Sequence, residues 1–138
     1  MRIKMTTLGV LAASLIAGQA LAAAHAKQAV MAGDQDVSGG TVTAAKIVAA
    51  DNGWLVVHRT DGMKPGPVVG HAPLKKGENS DVAAILTEPV KPGEKLMLML
   101  HGEGGGMKTG IFEYSLGAKE DGPIKVDGKL VMTVITAK

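Results

Sequence analysis

Glycine and proline punctuate this chain so often that no long helix can run through it. The 138 residues include 19 glycines and 6 prolines, and beyond residue 26 clusters of them recur every eight to fifteen residues. The apolar runs between these breakers are short and rich in β-branched side chains, and none of helical length carries an uninterrupted 3.6-residue stripe. Such spacing predicts an all-β sandwich or barrel. About seven strands are expected: 40–49, 54–59, 67–71, 81–87, 95–101, 110–115 and 129–136. Asp51-Asn52-Gly53 reads as a hairpin turn, Lys91-Pro92-Gly93-Glu94 as another, and Asp127-Gly128 as the turn before the last strand. Residues 28–37 read as a leader or an added edge strand.

The two-residue strand period then sorts side chains onto faces. Trp54, Val56 and His58 share one face of the second strand, against Leu55 and Val57. Met97, Met99 and His101 share one face of the fifth, against Leu96, Leu98 and Leu100. Both faces are apolar, which places these two strands centrally. With one Trp, one Tyr and one Phe in the chain, leucine and methionine must fill the interior. Met97 and Met99 read as packing, and Trp54 reads as an anchor of the sandwich core.

The first 26 residues have a different character. Arg2 and Lys4 precede an apolar stretch, LGVLAASLIAG, and then small residues, the three-part pattern of a secretory signal peptide. Cleavage fits after Ala22 or after Ala26, and the apolar part is too short to span a bilayer. The expectation is an exported protein, periplasmic or secreted, with one domain over 27–138 and no membrane span after cleavage. Of 15 basic residues, Arg2 and Lys4 fall in this leader, leaving 13 against 13 acidic ones. Without net charge, a basic stripe or a stacking platform of aromatics, nucleic-acid binding is not expected. The chain has no cysteine, which removes thiol catalysis, thiolate metal sites and a blue-copper centre of the usual type. Ser38, Ser80 and Ser115 lie in no strained elbow and the carboxylates scatter through turns, so no enzyme is expected.

Histidine and methionine remain. Neutral imidazole suits copper and zinc, and thioether sulfur suits Cu(I). His58, His71 and His101 lie in the expected domain, two of them ending central strands. Each of those two is followed by a similar loop, HRTDGMKPG and HGEGGGMKTG, in which Met63 and Met107 have no core to fill and Glu103 adds an oxygen donor. If successive strands simply reverse, the third and fifth end together. That gathers His71, His101, Glu103 and Met107 and leaves His58 and Met63 across the domain. The expected function is binding of a metal ion, copper foremost, through His71 and His101, with His58, Glu103 or Met107 completing the set. The alternative is a structural or interaction module whose histidines are buried and hydrogen-bonded, with a protein partner docking on an edge strand or loop face.

Longer stretches carry a resemblance. DQDVSGGTVTAAKIVAADNGWLVVHRTDG, GPVVGHAPLKKGENSDVAAILTEPVKPGEKLMLMLHGEGG and GIFEYSLGAKEDGPI together resemble a small domain family of unknown function in exported bacterial and haloarchaeal proteins. The matching positions are Asp34 and Gln35; Gly53, Trp54 and His58; Gly70 and His71; Leu96, Met99, Leu100 and His101; Phe112 and Tyr114; and Asp121, Gly122 and Pro123. The resemblance implies a single Greek-key β-sandwich, cupredoxin-like or immunoglobulin-like, and implies no reaction. It departs at Glu103, where the family pattern has Asp, and it does not extend to the Gly-Met-Lys loops. Asp121-Gly122-Pro123 reads as turn chemistry, and Asp34-Gln35 as a pin holding the leader to a neighbouring strand.

Overall fold

The computed structural model describes residues 27–116 and 118–138; the signal peptide expected over 1–26 lies outside the described residues. The chain is all-β. In order come β1 (Ala29–Met31), β2 (Thr41–Ala49), β3 (Gly53–Thr60), β4 (Pro65–Leu74), β5 (Gly77–Ile85), β6 (Lys95–Gly102), a short 3-10 turn (Tyr114–Leu116), β7 (Lys125–Val126), β8 (Lys129–Leu130) and β9 (Met132–Thr136). One sheet runs β1-β2-β5, a second runs β4-β3-β6-β9, and β7 and β8 form a separate hairpin. All pairings between these strands are antiparallel. The chain crosses from β2 to β3, returns at β5 to lie beside β2, and crosses again so that β6 lies beside β3. That is a Greek-key sandwich, as expected. Among the described residues no helix is long and apolar enough to cross a membrane.

The alternation read from the sequence decides what each sheet buries. Leu55 and Val57 of β3 and Leu96, Leu98 and Leu100 of β6 point inward and meet Val42, Ala44 and Ile47 of β2. Each of these leucines is at most 1 % exposed, a burial that contributes roughly 1.5–3 kcal/mol per side chain. β2 changes phase midway, from inward Val42 and Ala44 to inward Ile47 and Ala49. The shift falls at Ala45, where the ladder to β5 skips a pair opposite Asp81 at φ +50°. The leader is pinned as expected. Gln35 clasps Thr43 through both side-chain atoms, at 2.8 Å each, and Asp34 accepts the Thr136 N–H at 2.8 Å.

Four expectations change. Asp51-Asn52-Gly53 closes no hairpin, because β2 and β3 lie in different sheets. The third strand is twice the length read, because β4 pairs with β3 from Gly53–Leu74 to Thr60–Pro65 around a bulge near His58. Its prolines are tolerable because β4 is an edge strand. Residues 110–115 form no strand. Their backbone donors are taken by side chains instead, with Gly110 N–H bonded to Glu103 and Glu113 N–H to Asp121. Trp54 is not in the sandwich core. It lies on the outer face of the β4-β3-β6-β9 sheet, in a second apolar cluster with Val56 and Phe112.

Gly53 shows how closely β3 and β6 approach at this end. A Cβ there would run into the His101 carbonyl oxygen, a backbone atom held in the ladder. Gly53→Ala is therefore expected to lower stability by about 1–3 kcal/mol or more, as overpacking does, read as a fall in the urea midpoint at constant slope.

Candidate functional site

β3 and β6 are adjacent and antiparallel, so their strand-end histidines sit at opposite ends of one ladder. Trp54 pairs with His101, Val56 with Met99 and His58 with Met97. His58 and His101 are thus four register positions apart, roughly 13 Å along the strands. Their Nε2 atoms nevertheless lie 3.4 Å apart. Both side chains must therefore lean inward along the strand direction over the intervening Val56–Met99 pair. The outer face makes this possible because it is covered: His58 is 2 % exposed and His101 fully buried. The cover is formed by Phe112 and Tyr114, which follow β6 in the chain. The Tyr114 ring stands edge-on to His101 at 4.8 Å and to His58 at 6.3 Å, and Phe112 stands edge-on to His101 at 6.0 Å.

The tautomers are fixed by what lies behind each ring. His58 Nδ1 is 2.8 Å from the Gly66 carbonyl oxygen, and His101 Nδ1 is 2.6 Å from that of Asp121. A carbonyl oxygen only accepts, so each Nδ1 carries the proton and donates. In the neutral rings both Nε2 atoms then present lone pairs to one another. The 3.4 Å contact is no hydrogen bond in that state; two acceptors face each other in a buried pocket. Burial lowers the His58 pKa, with the Gly66 bond opposing, and burial chiefly lowers that of His101 to about 4. Near neutral pH no proton fills the gap.

Asp121 organises this side of the site. It is 1 % exposed and held at φ +53°. Its Oδ1 accepts the Gly104 N–H at 3.0 Å, its Oδ2 accepts the Glu113 N–H at 2.9 Å, and its carbonyl holds His101. The expected turn residue is therefore also the bracket behind a ligand candidate.

The other candidates are placed differently. His71, on β4 beside Val56, shares the same sheet face but stays exposed. Phe112 lies against its ring at 4.6 Å and Trp54 edge-on at 5.7 Å, and partial burial lowers its pKa. Its company is Glu103: both line a cleft of about 460 Å³ with Trp54, Asn52 and Thr109. Glu103 also bonds Gly110 N–H at 3.2 Å. Met107 and Met63 project into solvent, 91 % and 84 % exposed. Of the grouping expected from strand reversal, His71 and Glu103 share the cleft, Phe112 stands between His71 and His101, and Met107 lies outside. His101 meets His58, because long side chains on neighbouring strands close a distance that strand ends alone do not. Among the described residues no three His, Asp or Glu side chains form a metal-ligating group. Sequence reasoning missed Tyr114 and Asp121 as parts of the site, although the aromatic run and the Asp-Gly-Pro turn were both visible.

A comparison with protein-family models matches residues 28–138 to one family, described as Domain of unknown function (DUF7282). Comparisons with curated proteins and with solved structures find no match.

Proposed function

The chain belongs to the DUF7282 domain family, and from the site it carries we propose that it is an exported metal-binding protein, copper foremost, that binds rather than catalyses. The supporting observation is the pair of Nε2 lone pairs facing each other at 3.4 Å, each with its Nδ1–H tied to a backbone carbonyl. Metal-ligating histidines are oriented in this way, the second nitrogen held by a carbonyl or carboxylate. An ion about 2.0–2.1 Å from each nitrogen, the usual imidazole distance for a metal of this kind, would subtend roughly 110–115° between them. That is a bent pair with room for a further donor. Export rests on the leader pattern, and the absence of cysteine fits storage or transfer of an ion better than blue-copper electron transfer.

The test is titration of metal-free protein with Cu(I), Cu(II) and Zn(II), followed by thermal unfolding. Saturation at about 100 times the dissociation constant adds roughly 2.7 kcal/mol, a rise of about 10 °C for a domain of this size. His58→Ala and His101→Ala are each expected to abolish the rise, and His71→Ala to keep it. The Nδ1 bonds also support a second reading, in which the histidines only staple loops to the sheet. That reading gains if no metal shifts the transition and both variants simply lose stability.

A further inference from the structure

We propose that the site is selective for a monovalent soft cation, Cu(I), and that the thioether of Met99 supplies its third donor; the inference rests on the reading of His58 and His101 as ligands. Three observations carry it. The first is register. Met99 lies opposite Val56, midway between the two histidines and on their face of the sheet, so the imidazoles close directly over it. Met99 is 1 % exposed. It places a polarizable thioether on the same sheet face, between the two histidines in register.

The second is charge. Two neutral imidazoles and a thioether bring no negative charge to the ion. Desolvation cost rises with the square of the charge, so a divalent ion in this buried set would lose about four times what a monovalent one loses. Zinc in a closed site is normally offset by thiolates or carboxylates, and thioether sulfur selects Cu(I). The third is Asp121. Its buried carboxylate is bonded by two backbone N–H groups and, among the described residues, has no cationic partner. Its main-chain oxygen holds His101 Nδ1, so its charge lies near the site, where one positive charge would balance it and two would not.

The experiment compares wild type, Met99→Leu and His58→Ala by Cu(I) competition against a chromophoric chelator and by Zn(II) titration, with X-ray absorption on the Cu(I)-loaded wild type. Leucine conserves the volume of methionine, so the fold is retained. The expected result is a sulfur scatterer in the Cu(I) shell and a Cu(I) affinity at least about tenfold lower in Met99→Leu, the lower end of what even an outer-shell partner costs. Zn(II) binding is expected to be weaker than Cu(I) binding and unchanged by that substitution. A nitrogen-only shell, undiminished Cu(I) affinity in Met99→Leu, or a preference for Zn(II) would overturn the inference while leaving the histidine site standing. If His58→Ala also binds like wild type, the histidine reading fails with it.

Discussion

Acidification from pH 6.5 to pH 4 is expected to remove roughly 3 kcal/mol of stability from the metal-free protein through His101 alone. Burial holds the folded-state pKa of this ring at about 4, against 6.5 for an exposed histidine; the neighbouring His58 lowers it further, while the Asp121 carbonyl and charge oppose. Between those two values the unfolded chain binds a proton at this position that the folded chain refuses. Stability is therefore fully present above pH 6.5 and falls as the pH drops towards 4, below which both states are protonated and the loss is complete. His58, lowered for the same chief reason, adds in the same direction. Against a typical total of about 5–15 kcal/mol, the loss is large. Urea midpoints from pH 8 to pH 4 would read it directly. A flat profile would mean that the rings are not buried as neutral acceptors.

Asp121→Ala is expected to cost about 3–5 kcal/mol. It removes the acceptors of the part-buried N–H groups of Gly104 and Glu113, about 1–1.5 kcal/mol each. It also leaves alanine at φ +53°, roughly 1–2 kcal/mol against a residue that tolerates the left-handed region. Asp121→Asn should lose about half as much, because asparagine accepts that backbone and keeps one acceptor oxygen. The atom that holds His101 is the main-chain oxygen, which every substitution retains. Any effect on the imidazole must then travel through displacement of the loop. Thermal unfolding gives the stability, and the His101 Nδ1 proton resonance reports whether the ring has lost its acceptor. A change under about 1 kcal/mol would show that the loop is held by its aromatic contacts and not by this carboxylate.

Much of the architecture was legible because strand alternation is a strong signal where one face is wholly aliphatic. Leu96, Leu98 and Leu100 fixed the inner face of β6, and the same period put Met97, Met99 and His101 on the outer one. The Asp34-Gln35 pin was readable because short polar side chains beside a strand have few other uses. Pairing geometry was not legible. That His58 and His101 touch depends on the β3–β6 register and on side chains leaning along the strands, and neither leaves a mark in local spacing. Phe112 and Tyr114 look like strand residues by composition. They are instead a cover, because Asp121 and Glu103 capture the backbone donors that a strand would have needed. Trp54 was misplaced for a related reason: an aromatic on a central strand can face either side of a sheet, and only the presence of a covering loop tells which side is dry.

The placement of Trp54 has an optical consequence. It is the one tryptophan in the chain, 5 % exposed, paired in register with His101 and edge-on to His71, with an indole N–H that has no partner among the described residues. A buried indole emits at short wavelength, and an imidazolium beside it, such as that of His71 at 5.7 Å, quenches it. The protein thus carries its own fluorophore on the histidine face of the sheet, and protonation and loosening of the cover each change its emission.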